Sequence, residues 1–309
     1  MDSYMTKRDK KFEAVVHAIN PDYKLINTKV LTGGVSATTT VLEVSQSNGR
    51  NKKLLVRQHG ERDLKNNPDI AKDEFNLLKT LHEIGLSVQK PYFLDTSNKI
   101  FSQPYIVIEY VNGKTDLKPK ELATFLSSLA SHLAKIHQIN ISKHDLSFLR
   151  KQNDNFSKII EEKSAKLDKP LSEEKIRDVL KSVWPLKQKN ETILLHGDFW
   201  PGNTLWQDGR LVAIIDWEDA ALGDPLSDLA NCRLEIIWAF GIEAMEDFTK
   251  YYKSKNKIDF ANLPYWDLCA ALKPCGKLSE WGLEKKSEQA MIEKHKLFVS
   301  NAIEKIGER

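Results

Sequence analysis

The sequence is poor in cysteine: Cys232, Cys269 and Cys275 are the only three in 309 residues, with no Cys-x-x-Cys spacing and an odd thiol under any pairing. This excludes a disulfide framework and a cysteine-built zinc centre, and it points to a reducing compartment. Long apolar runs are also missing. Tyr105–Ile108 and Ile236–Ile242 fall far short of the ~20 residues that span a bilayer. No apolar stretch of signal-peptide length follows the charged start, so cytoplasmic residence without a membrane partner is expected. Charge of one sign is not in excess either. Lys and Arg number 46 against 43 Asp and Glu, a net charge of +3, too small for the basic surface of non-specific nucleic-acid binding, and no nucleic-acid partner is expected. Internal repeats and low-complexity tracts are absent, and nothing in the pattern specifies an oligomer.

What is present describes a folded protein. Hydrophobic residues make up 41% and charged residues 29%, which excludes collagen-like and disordered classes. At roughly 150 residues per domain, the length favours one large two-lobed domain or two domains. Val30–Val44 predicts two short strands around Gly33-Gly34, since Thr38, Thr39, Thr40, Val41 and Val44 are β-branched and glycine permits the turn. A third strand is expected at Leu54–Arg57 and another at Tyr105–Tyr110. Ile70, Leu77, Leu78, Leu81 and Ile84 repeat mostly at three and four residues and predict a helix over 70–84, stopped by Gly85. Leu126, Leu129, Leu133 and Ile136 predict a second over 122–139. Residues 151–189, dense in charge, read as exposed helices, and 240–309 as mainly helical. A β-rich first third before a helical remainder is α+β, divided near Val111–Gly113 into residues 1–111 and 112–309.

The chemistry concentrates in His196-Gly197-Asp198-Phe199-Trp200-Pro201-Gly202-Asn203, a Gly/Pro loop after the apolar run Ile193–Leu195. Asp198 and Asn203 lie five positions apart, and thirteen further on Asp216 follows the strand-like run Leu211–Ile215. Such an oxygen-rich set suits Mg²⁺ carried by a nucleotide, with Asn203 and Asp216 as ligands. Asp198 is then available to orient or deprotonate an attacking hydroxyl. The spacing His-x-Asp-x-x-x-x-Asn is that of the kinase catalytic loop. Asp224 and Asp228, in Gly223-Asp224-Pro225-Leu226-Ser227-Asp228-Leu229, read as a helix-opening turn and a carboxylate for loop amides. His196 reads as an orienting residue.

These three ordered motifs resemble the aminoglycoside phosphotransferase/choline kinase family of small-molecule kinases. The resemblance implies a two-lobed protein-kinase-like fold, with a β-rich nucleotide-binding lobe and a helical lobe for catalysis and substrate. It implies ATP and Mg²⁺ as cofactors, with GTP left open by the connector, and a small-molecule hydroxyl as acceptor. Within it Asp198 is the catalytic base. Leu54-Leu55-Val56-Arg57 matches the strand ending in the nucleotide-binding Lys, so Arg57 is the phosphate-facing cation and Glu74 its partner; a solvated-face reading of Glu74 stands beside this. Gly33, Gly34 and Ser36 match the phosphate-covering turn, for which a plain hairpin is the alternative. Glu109 and Val111 fall in the connector that offers backbone groups to the base. Gly197 stands where protein kinases carry Arg and no Ala-Pro-Glu follows Asp216, which implies activity without activation-loop phosphorylation.

Trp200, Trp217, Glu218, Asp219, Glu235 and Trp238 are candidates for an acidic, aromatic-walled pocket that would take a cationic polyol or amine, such as an aminoglycoside or a choline-like ammonium, with homoserine-type and sugar substrates also open and the core the alternative place for the tryptophans. A catalytically weak, pseudokinase-like nucleotide-binding regulator is the alternative function, and Arg57 is its main support.

Overall fold

The computed structural model describes residues 7–31, 37–162 and 167–308. The chain divides into two units, Met1–Gly113 with Val212–Glu218, and Lys114–Leu211 with Asp219–Arg309. The first begins with α1 (Lys7–Ile19), β1 (Lys24–Val30), β2 (Ala37–Ser45) and β3 (Asn51–His59). It continues with α2 (Glu61–Asn66), α3 (Ile70–Glu83), β4 (Pro91–Asp95) and β5 (Tyr105–Glu109). The strands form one antiparallel sheet in the order β1-β2-β3-β5-β4.

Two-residue periodicity sorts this sheet into faces. Leu42 and Val44, Leu54 and Val56, and Tyr105 and Val107 pack with Phe12, Val15 and Val16 of α1. The intervening positions of β3, Leu55, Arg57 and His59, point to the opposite face. There α3 presents Ile70, Ala71, Glu74, Leu77, Leu78 and Leu81, all buried. That spacing is one helical face, and Glu74 is its single charge. The helix stops where glycine predicts. Gly85 has φ +82°, and its amide bonds His82 O while Leu86 N bonds Leu81 O, the paired bonds of a Schellman end.

The expected strands are present with shifted bounds, and β5 stops at Glu109 rather than Tyr110. β3 exceeds Leu54–Arg57 at both ends because its ladder with β2 runs from Asn51 to His59, which draws polar residues into the strand. β1 starts at Lys24 in a stretch without alternation, since an edge strand exposed on most positions needs none. The turn at Gly33-Gly34, and Ser36 after it, lie outside the described residues.

The second unit comprises α4 (Leu122–His137), β6 (Arg150–Lys151), α5 (Gln152–Glu161), α6 (Glu173–Val183), β7 (Ile193–Leu195) and β8 (Thr204–Gln207). Then come β9 (Arg210–Ile214), whose last residues belong to the first unit, β10 (Ala221–Gly223), α7 (Leu226–Phe240), α8 (Ile242–Lys255), α9 (Leu263–Leu272) and α10 (Lys285–Gly307). β10 pairs antiparallel with β7 and parallel with β6. α7 is the central helix, buried on nearly every side and packed by α8, α9 and α10. Residues 151–189 are not wholly an exposed face. Phe156 and Ile160 of α5, and Ile176 and Leu180 of α6, are buried, so the dense charge there covers only the outer sides.

Leu54 is 0% exposed and Leu117 47%. Leu54→Ala should therefore cost about 2–5 kcal/mol in urea unfolding, against less than about 0.5 kcal/mol for Leu117→Ala.

Candidate functional site

In the first unit, strand alternation puts Arg57 and His59 side by side facing Glu74. Arg57 Nε lies 3.3 Å from Glu74 Oε2, and its Nη2 donates to Asp216 Oδ1 at 2.6 Å and Glu218 Oε2 at 2.5 Å. His59 Nε2 lies 2.9 Å from Glu74 Oε2, and Nδ1 3.7 Å from Glu218 Oε2. The acids arrive on Val212–Glu218, which is anchored by Ile214 N donating to Ser87 O at 2.8 Å and by Trp217 Nε1 donating to Ile214 O at 3.1 Å. Asp216 takes φ +67°, a left-handed conformation that Asp tolerates better than most residues.

The charges are strongly coupled. Burial opposes the Arg57 charge, but Glu74, Asp216 and Glu218 outweigh it and raise its pKa. Burial likewise opposes the His59 charge, yet the Glu218 and Glu74 carboxylates beside it push the imidazole up to about 9. Glu74 stays below its ordinary value because Arg57 and His59 overcome its burial. Asp216 goes the other way. Its burial, with repulsion from Glu218 and Glu74, exceeds the pull of Arg57 and raises it. Three carboxylates thus face two cations, leaving an excess negative charge that an added cation would relieve.

Glu109 has its amide on Lys90 O at 2.8 Å and its carbonyl accepts from Gln89 Nε2 at 2.8 Å. Among the described residues, Val111 makes no backbone hydrogen bond.

In the second unit, β7 delivers its last residues onto α7. His196 N and Gly197 N donate to the two oxygens of Asp228 at 2.7 and 2.9 Å. His137 Nε2 lies 3.3 Å from Asp228 Oδ2, and its Nδ1 2.6 Å from Tyr252 Oη. Burial would raise the Asp228 pKa, but His137, His196 and the loop amides hold it down. Asp228 therefore satisfies loop amides, as its position suggests. Asp224 accepts from Leu226 N at 2.9 Å at the start of α7. His196 Nδ1 accepts from Asp198 N at 3.3 Å, an orienting contact.

Gly197 sits at φ +84°, where an added Cβ would lie 1.9 Å from the Asp219 carbonyl oxygen. Asn203 Nδ2 donates to Asp198 O at 2.9 Å and to Asp198 Oδ2 at 3.0 Å. Because both acceptors claim the NH₂ group, the Asn203 carbonyl oxygen is the end turned away from Asp198. Asn231 Nδ2 lies 3.3 Å from the other Asp198 oxygen, and Lys273 Nζ donates to Asn231 Oδ1 at 2.8 Å and Gly197 O at 3.0 Å. Burial, then the Asp198 charge, pushes Glu235 up to about 8 against the pull of Lys273.

The structure thus brings together Arg57, Glu74 and Asp216 in one unit, and Asp198 with Asn203 in the other. Four of the six residues expected to line an acidic, aromatic pocket have partners within their own units. Trp217 is core, 2% exposed, and Glu218 is drawn to Arg57. Asp219 pairs with Arg150, and Trp238 packs on Trp281 and His295. His59, Asn231 and Lys273 were not singled out by the motifs. The signals were present for two of them: His59 is two residues along the Arg57 strand face, and Asn231 three residues along the Asp228 helix face.

Two consequences are measurable. Gly197→Ala should destabilise by more than about 3 kcal/mol or abolish soluble expression. Gly49→Ala, at φ +76° with nothing within 4 Å, should cost about 1 kcal/mol. Because His59 is raised from 6.5 to about 9, its stabilisation is complete below about pH 6.5 and is lost as pH rises through about 9. The urea midpoint should therefore fall more for the wild type than for His59→Gln between those values.

A sequence model of the phosphotransferase enzyme family matches residues 28–266. The acyl-CoA dehydrogenase family member 11 of Rattus norvegicus is 28% identical over 234 residues, 64% of this chain and 29% of that protein. The chain therefore spans under a third of the length of such relatives. Hygromycin-B 4-O-kinase of Escherichia coli is 35% identical over 63 residues, 20% of this chain and 18% of the enzyme. Amicoumacin kinase, solved with AMP-PNP, Ca²⁺ and Ami, superimposes with a TM-score of 0.64 at 15% identity, covering 96% of each chain. Aminoglycoside 2'-phosphotransferase-IIIa, solved with GDP, gives 0.64 at 17% identity over 94% of this chain and 98% of its own. At these identities the shared property is the protein-kinase-like α+β fold. By the match across most of its length, the chain belongs to the phosphotransferase enzyme family.

Proposed function

We infer that the chain transfers the γ-phosphoryl group of a nucleoside triphosphate to a hydroxyl of a small molecule, with Asp198 as base. The observation that carries this reading is the Asp198 carboxylate, held by the Asn203 amide on a turn whose backbone is fixed by Asp228. A base must be presented in one geometry to a hydroxyl, and phosphoryl transfer depends mainly on such positioning and on charge neutralisation.

Mg²⁺ fits the donors present. The Asn203 carbonyl oxygen is turned away from its amide contacts, and Asp216 is a carboxylate crowded by acids. These two residues would hold the ion, which supplies charge neutralisation to the phosphates. Arg57, buttressed by Glu74, is assigned to the α/β-phosphates, and Gly33, Gly34 and Ser36 to the covering turn. The connector Glu109–Val111 is assigned to the base; since Glu109 has both backbone groups engaged, Val111 carries the larger share. ATP is the assigned donor, with GTP the alternative. An amino-alcohol, aminated sugar or aminoglycoside is the assigned acceptor class. The three cysteines are free thiols, which supports a cytoplasmic setting.

One observation favours a second reading, a weakly catalytic nucleotide-binding regulator: the cation expected to meet phosphate is already engaged by three carboxylates. The deciding assay measures ATP consumption with Mg²⁺ against pooled aminoglycosides, macrolides, choline and ethanolamine, homoserine, and aminated sugars. A pool should stimulate the wild type, and Asp198→Ala should lower turnover at least about 100-fold while ATP affinity stays within about twofold. Turnover indifferent to Asp198→Ala would overturn the assignment of the base. ATP binding with no stimulation by any pool would favour the regulator.

A further inference from the structure

Asp198 receives two carboxamides, and only one belongs to the motif loop. Asn203 holds Oδ2 at 3.0 Å; Asn231, from α7, lies 3.3 Å from Oδ1. Shape alone does not distinguish the ends of an Asn side chain, but its partners do. A lysine ammonium can only donate, so the Asn231 atom 2.8 Å from Lys273 Nζ is the carbonyl oxygen. The NH₂ group must then face Asp198. The same ammonium donates to Gly197 O at 3.0 Å, tying Lys273 to the peptide just before Asp198.

The two holds on Asp198 differ in kind. Asn203 is assigned a cation-binding role through its own oxygen, so its grip on Oδ2 is linked to that role. Asn231 has no second duty on the phosphate side, and it stands on the helix that also supplies Asp228 to the His196 and Gly197 amides. It is 5% exposed, while Lys273, the first residue after α9, is half-buried.

We propose that Asn231, held in one orientation by Lys273, is a positioning residue for Asp198, restraining the carboxylate so that one geometry meets the acceptor hydroxyl. The proposal rests on the phosphotransferase reading of Asp198. Asn231→Ala and Lys273→Met should each lower kcat at least about tenfold, with ATP affinity within about twofold. Lys273→Arg should recover most of the loss caused by Met. The double variant should fall no further than the worse single one, since Lys273 acts through Asn231. Multiplying losses would overturn that route, and an unchanged kcat per folded molecule with only a lowered Tm would overturn the proposal.

A second readout does not depend on turnover. Side-chain amide hydrogen exchange at Asn231, followed by NMR, should be faster in Asp198→Ala and in Lys273→Met than in wild type. Equal rates would overturn the proposal whatever the enzymology. A wild type whose ATP consumption no acceptor pool stimulates would instead count against the phosphotransferase reading, and the exchange measurement would still decide whether Asn231 holds Asp198.

Discussion

Two consecutive peptide N–H groups at the end of β7 converge on one buried carboxylate, Asp228, and the geometry of the catalytic-type loop follows from that contact. An unpaired buried amide costs about 1–3 kcal/mol, so the backbone at residues 196 and 197 has one favourable course. Asp228 is itself kept ionised by His137 and by these amides, which offset the cost of its burial. Once the peptides are fixed, Gly197 adopts its positive φ, His196 turns back to the Asp198 amide, and Asp198 faces Asn203 and Asn231. A single helix, α7, therefore sets the loop backbone through Asp228 and contacts the Asp198 side chain through Asn231.

The first unit solves a different electrostatic problem. Its buried strand face carries two bases against three acids, an arrangement in which a lysine would be a poorer partner than Arg57. A guanidinium offers directed donors over a wide fork, and Arg57 donates from Nη2 to both Asp216 and Glu218 while its Nε lies 3.3 Å from Glu74 Oε2. An ammonium is a compact point charge that does not span those positions as readily. His59 shares Glu74 with Arg57 and carries a charge of its own. Arg57 thus shares its buried face with a second base, His59, and with two acids besides Glu74.

Much of this was readable before any coordinates, for physical reasons. Apolar periodicity exposed α3 because its buried face is almost wholly aliphatic, and the one charge on that face, Glu74, was conspicuous for being there. Asp198, Asn203 and Asp216 were visible because their spacing follows from a tight loop and two strands. β1 was under-read because an edge strand with little burial leaves no alternation. The helices within 151–189 were read as exposed because two or three buried residues per helix are diluted by charge. Lys273 was illegible: its relation to Asp198 passes through Asn231 and the Gly197 carbonyl, and no local pattern encodes contacts between residues 42 and 76 positions apart. The tryptophans misled, since Trp217 serves the core rather than a pocket wall.

The first unit is discontinuous, closing only when Val212–Glu218 joins Met1–Gly113. A fragment ending at residue 113 would keep Arg57, His59 and Glu74 but lose Asp216 and Glu218, reversing the balance from one surplus acid to one surplus base on a buried face. The division of the chain into two units is therefore no guide to cutting it. Split reporters, domain exchanges and gene fragments broken at the unit boundary would each separate Arg57 from two of its three counterions, so the polypeptide is better handled by the engineer as one indivisible piece.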